Sequence, residues 1–150
     1  MSIYRDTPYP SCRFTVDMGT GEVWSPNTGL LEVVFPEARL VVADYRTGNS
    51  RSPEPQKVQT GVEYGTLILR RTVNGSLDWY QWWNEFRNGS TGNLRHVTVQ
   101  LLSEDLSNVV LTWRFHRARP VTHLFSSLNA LGGDLFIESL EVAFERLEME

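Results

Sequence analysis

At 150 residues the chain is long enough for one domain with a sizeable core, and 41% hydrophobic residues exclude a disordered polypeptide. A net charge of −4 offers no basic face for nucleic acid. No apolar run approaches the ~20 residues of a membrane-spanning helix. The single cysteine, Cys12, excludes an internal disulfide and points to a reducing compartment. The first residues lack the apolar centre of a signal peptide, so the expectation is a soluble protein made in a cytoplasm.

In chain order, residues 1–11 carry Pro8 and Pro10 and read as an extended arm. Residues 12–18 alternate, with Phe14 and Val16 on one side and Arg13, Thr15 and Asp17 on the other, the pattern of a half-buried strand. Gly19 to Gly21 turns the chain, Val23 and Trp24 begin a return, and residues 25–29 form another turn cluster. Residues 30–35 and 38–46 are β-branched strand candidates divided by Pro36. Residues 47–60 are polar, hold two prolines and lack periodicity. A loop of that length inside a compact domain is often functional or ordered by a partner.

Residues 62–71 form the strand that feeds the one convincing helix. Asn74-Gly75 is a turn signal, Ser76 is the expected N-cap, Asp78 suits the helix N-terminus, and Asn88-Gly89 is the stop. Trp79, Trp82, Trp83 and Phe86 fall at i, i+3, i+4 and i+7, one face of a helix. Each buries on the order of 200 Å² when packed, so this short helix is expected to dock as a core element. After a loop at 88–93, residues 95–102 and 109–118 alternate and read as a hairpin. Val97, Val99, Leu101, Leu111, Trp113 and Phe115 take its core face, and Thr98, Gln100, Thr112 and Arg114 its wet face. Pro120 breaks the run, 121–128 is ambiguous, 129–134 is a loop, and 135–147 reads as one long closing strand. The sum is seven or so strands and one helix, a mainly β (α+β) antiparallel sandwich or barrel in a single domain, 1–150.

No catalytic constellation is visible. His96 and His116 lie on the polar faces of adjoining strands and could approach each other, but a metal site needs a third ligand, and none stands at ligand spacing. Cys12 has no Cys-x-x-Cys partner, and the glycines form no phosphate loop. The residues indicate neither an enzyme nor a cofactor. They suit a β module that contacts other chains.

The order of motifs resembles the tail tube protein family of contractile phage tails and phage-derived contractile injection systems. The resemblance runs from Phe14-Thr15-Val16 through Glu32-Val33 and Asp44-Tyr45-Arg46-Thr47-Gly48 to the strand Thr66-Leu67-Ile68-Leu69-Arg70-Arg71. It continues through the tryptophan helix, Val97 to Glu104, Trp113-Arg114-Phe115, Ala118-Arg119-Pro120, Leu128-Asn129-Ala130 and Ile137-Glu138-Ser139-Leu140-Glu141-Val142. Phe35-Pro36 stands where the family tends to have Gly-Leu, Thr72 where it has Gly, and Thr60-Gly61 where it has Pro-Gly.

The resemblance implies a structural protein of the inner tube, made in the bacterial cytoplasm. Six copies would form a ring, each lending about four strands to a shared barrel, and rings would stack inside a sheath. Baseplate, spike and terminator proteins would be partners, and an effector protein or DNA the cargo. Twenty-four strands at ~4.8 Å spacing and ~40° tilt give a wall of ~48 Å diameter and a lumen of roughly 40 Å. In that setting the 47–60 loop, with Arg46, Asn49, Arg51, Glu54, Gln56 and Lys57, is the expected inter-ring contact. Thr98, Gln100, Thr112 and Arg114 are the expected lumen lining. A baseplate-proximal tube-initiator paralogue and a type VI-like secretion tube protein stay open as alternatives. So does a monomeric β-sandwich that binds a ligand.

Overall fold

The computed structural model describes residues 2–49, 51 and 53–150. Ser50 and Ser52, inside the expected 47–60 contact loop, and Met1 of the arm lie outside the described residues. Among the described residues there are ten strands and one α-helix: β1 (Phe14–Asp17), β2 (Val23–Trp24), β3 (Leu30–Val34), β4 (Ala38–Tyr45), β5 (Gln56–Tyr64), β6 (Leu67–Thr72), α1 (Asp78–Arg87), β7 (Arg95–Leu102), β8 (Val109–Phe125), β9 (Ile137–Ala143) and β10 (Arg146–Met149). Every pairing is antiparallel. Eight strands run in the order β2-β1-β7-β8-β9-β6-β3, with β10 also on β8, while β4 and β5 form a separate two-stranded sheet.

The long strand β8 organises the chain. Its first half pairs with β7 and β10 and its second half with β9. Between the halves, Arg117 takes a positive φ of 53° and the pairing with β9 slips between Pro120 and Thr122. Proline has no ladder N–H and is tolerated at such an irregularity. Pro120 therefore marks a bend where one strand passes between two sheet halves, and the strand does not stop there as the sequence suggested. The closing segment, read as one strand, is two. A break at Phe144-Glu145 lets β9 follow the second half of β8 while β10 crosses to the first half.

The core lies between the sheet halves and is closed by α1. Val16, Leu67, Leu69, Val97, Val99, Phe115, Leu140 and Val142 meet Trp79 and Trp82 of the helix there, with Phe86 packed at the edge. The i, i+3, i+7 part of the tryptophan stripe thus faces inward as expected. Trp83 is only half-buried and its indole N–H donates to the Val121 carbonyl at 3.2 Å. The helix start differs from expectation. The N-cap position is Leu77, without a side-chain cap, and Ser76 donates its hydroxyl to Asp78 Oδ1 at 2.8 Å. Asp78 itself accepts from the Trp79 amide at 2.9 Å, so a carboxylate takes the first-turn donor that a serine was expected to satisfy.

Gly29 shows how tightly the entry to β3 is fitted. Its φ is 101°, and a Cβ there would stand 2.6 Å from Thr72 Oγ1. Glycine is required both for the left-handed backbone and for the approach to β6.

Candidate assembly surfaces

A buried ionic brace fixes the helix to the sheets. Arg71 is in phase with Leu67 and Leu69 on β6, and like them it points inward and is fully buried. Its guanidinium lies between two indoles, 4.6 Å from the Trp24 ring and 4.0 Å from the Trp79 ring. Its Nε donates to Glu138 Oε1 at 2.7 Å and a terminal nitrogen to Asp78 Oδ1 at 2.6 Å. The other Glu138 oxygen meets His123 Nε2 at 2.6 Å. Burial pushes the Asp78 carboxyl up, but hydrogen bonds from Arg71 and Ser76 outweigh it and hold the group below its ordinary value. One network therefore ties β6, α1, β9 and the bent half of β8, with β2 stacked over it through Trp24. The single strand expected over 62–71 is divided between β5 and β6, and with Arg71 as its last residue that expectation missed the brace. The signal was the alternation itself, since position 71 continues the inward phase of Leu67 and Leu69.

On that rigid body stands the β4–β5 hairpin. The connection between the two strands is residues 46–55, shorter than the 47–60 loop expected from sequence. Gln56 and Lys57 are strand residues, paired with Tyr45 and Asp44. Lys57 forms an ion pair with Asp44. The strand character of Gln56 to Tyr64 was hidden by the neighbouring prolines Pro53 and Pro55 and by a register shift opposite Val41 and Val42 that interrupts its alternation. The side chains of Arg46, Asn49, Arg51 and Glu54 remain at the exposed tip, where Arg46 donates to the Pro53 carbonyl.

The hairpin is unusual in its exposure. Leu40 and Val62 are directly paired and are 53% and 55% exposed; Val42 follows on the same face, while Tyr45 and Val58 are exposed on the other. A two-stranded ribbon is marginal in water by itself, and apolar side chains on both faces call for cover. A second exposed apolar element is the connection between β8 and β9, where Leu128 and Leu131 are 82% and 98% exposed. Against these projections the same chain offers an open apolar groove of about 450 Å³, lined in part by Phe14, Leu31, Val33, Phe35, Leu101 and Trp113.

The four polar residues expected on a lumen wall do come together. Thr98 pairs with Arg114 and Gln100 with Thr112 across β7 and β8, in one patch. Their exposure is less than expected. Thr112 is buried at 6% because its edge is taken, its amide donating to the Glu150 carbonyl at 3.0 Å. Arg114 is paired with Glu150. Beyond β10 the N-terminal arm continues along the same edge, with the Ile3 amide donating to the Val110 carbonyl at 3.0 Å. The arm is pinned by a two-pronged Arg5–Glu104 pair, which lowers the Glu104 carboxyl to about 2. The terminal segments that cover this strand edge carry no pattern that announces it in the sequence.

Comparison with known proteins shows the family of the chain. Residues 10–148 match the family model described as T4-like virus tail tube protein gp19. No curated protein matches in sequence. Among solved structures, a chain in the anti-feeding prophage baseplate (6-fold symmetrised) superposes with a TM-score of 0.81 at 26% identity, over 97% of each chain. A chain of the sheath–tube complex of the extracellular contractile injection system PVC, in its extended state, gives 0.79 at 20% identity, over 97% of this chain and 93% of that one. Hcp1 from Flavobacterium johnsoniae shares the fold at 0.56 and 14% identity, over 91% of this chain and 94% of that one. The mainly β architecture with one short helix is thus that of tube proteins, and the role it supports is structural. The chain belongs to the T4-like virus tail tube protein family.

Proposed function

We propose that six copies of this chain close into a ring and that rings stack into the hollow inner tube of a contractile injection particle or phage tail, propelled by a surrounding sheath and conducting cargo through its lumen. The β4–β5 hairpin carries this reading. It stands off the eight-stranded sheet with apolar side chains on both faces, which a lone subunit leaves in water. A hairpin lent to a neighbour, received by a different surface of that neighbour, is a heterologous contact, and such contacts close rings when the rotation permits. Strands joined around a ring also hide the sheet edges that otherwise invite aggregation. The tip at 46–55, with Arg46, Asn49, Arg51 and Glu54, then faces the next ring. The Thr98, Gln100 and Arg114 patch is the candidate lumen wall, with Thr112 behind it.

A baseplate-proximal ring is the second reading. The chain from the anti-feeding prophage baseplate is 26% identical to this one, whereas the PVC sheath–tube chain is 20% identical. Both readings require a ring. Size-exclusion chromatography with multi-angle light scattering tests it: a hexamer of the 17.2 kDa chain has a mass of about 103 kDa (6 × 17.2). A stable monomer at high concentration would instead favour a solitary ligand-binding sandwich.

A further inference from the structure

The structure brings His96 and His116 closer than the sequence reading required. Their Nδ1 atoms are 3.3 Å apart, with the rings at 73° to each other. The two residues sit on adjacent strands, β7 and β8, and β10 flanks them on the far side, with Arg146 opposite His116. The Nε2 of His116 is buried without a hydrogen-bond partner, and the Glu148 carboxylate, itself held by Arg146 at 2.9 Å, stands 3.4 Å away. In the tautomer with the proton on Nε2, toward that carboxylate, the Nδ1 lone pair of His116 is free. In the unliganded state the two Nδ1 atoms share one hydrogen bond, whose donor is set by the tautomers of the pair.

We propose that this pair is a bidentate site for a borderline divalent transition ion of the zinc, nickel or copper class, with His96 Nδ1 and His116 Nδ1 as ligands and Glu148 as the residue that orients His116. Two metal–nitrogen bonds of ~2.05 Å spanning 3.3 Å subtend about 107°, close to the tetrahedral angle zinc prefers. Imidazole suits these metals, and a carboxylate on the distal ring nitrogen is the usual companion of a ligating histidine. Binding needs both imidazoles neutral with their protons on Nε2 and a turn of the rings that aims both Nδ1 lone pairs at one ion, and His96 is exposed and able to turn. Among the described residues no group of three or more His, Cys, Asp and Glu side chains is placed to hold a metal. The remaining positions therefore belong to water, and the site is open, unlike a closed structural zinc centre.

The test is calorimetric titration of the full chain, stripped with chelator, by zinc chloride and separately by nickel chloride. The account expects one saturable site per chain, abolished in His96→Ala and in His116→Ala and weakened about 10–100-fold in Glu148→Gln. Imidazole ¹⁵N resonances of the unmodified protein report the same site without mutation: His96 and His116 shift together on zinc addition while His123 stays. Absence of saturable binding overturns the proposal. So does equal binding by the double variant His96→Ala/His116→Ala, or a zinc shift confined to His123.

Discussion

At the scale of single residues the account turns on Arg71. Removing a partner from a buried ionic network leaves uncompensated charge, here Glu138 and Asp78, so Arg71→Ala is expected to cost about 3–5 kcal/mol in urea unfolding. Arg70→Ala, which breaks only the surface pair with Glu32, should cost about 0–1 kcal/mol. Equal costs would show that the brace contributes nothing. The tryptophans separate the same way. Trp82→Ala opens the core and should cost about 3–5 kcal/mol, whereas Trp83, half-buried, should cost measurably less. Asp78 sets an acid limb. Its folded pKa lies below the unfolded value, so its contribution is fully present above about pH 4 and is lost as pH falls through the folded value. Melting temperature against pH should show a shallower acid fall in Asp78→Asn than in the parent protein. The sequence made Trp79 and Trp82 legible through helical spacing. Arg71 was hidden because a charged residue at the end of an apolar run reads as a terminus, although its phase in the strand pointed inward.

At the scale of elements, β7 was legible because Val97 and Val99 are buried and the positions between them less so. The start of β8 and β9 were legible as strands but not in their faces, since Val110 and Thr112 are buried in the phase that read as wet and β9 is covered on both sides. The hairpin strand β5 was not legible, because a register shift opposite Val41 and Val42 breaks its alternation and puts apolar residues on both faces. The passage of β8 through Pro120 was equally hidden, as a local breaker signal lost to pairing on the far side of the bend. The hairpin makes two predictions. Val62 is exposed in the subunit, so Val62→Asp should change subunit stability by no more than about 0.5 kcal/mol while abolishing ring formation in light scattering. Tyr45 and Gln56 are ladder partners, so replacing residues 46–55 with a two-residue Asn-Gly turn suits the register. That variant should fold and form rings that no longer stack. Long tubes from it would place the inter-ring contact elsewhere.

At the scale of the whole molecule, the architecture is a two-part sheet braced by a helix, with a hairpin and a β8–β9 connection that leave apolar side chains exposed. The polar patch around Thr98 and Gln100 was legible as a strand face. Its partial covering by Glu150 and the arm was not, because edge pairing by chain ends leaves little trace in local composition. The six-fold ring is the claim on which the rest depends. Negative-stain microscopy of the purified full-length chain at high concentration tests it most directly. The account predicts six-fold rings or stacked tubes with a central opening of roughly 40 Å, the width a barrel of twenty-four tilted strands allows. A field of dispersed 17.2 kDa monomers, or closed particles with no central opening, would contradict it.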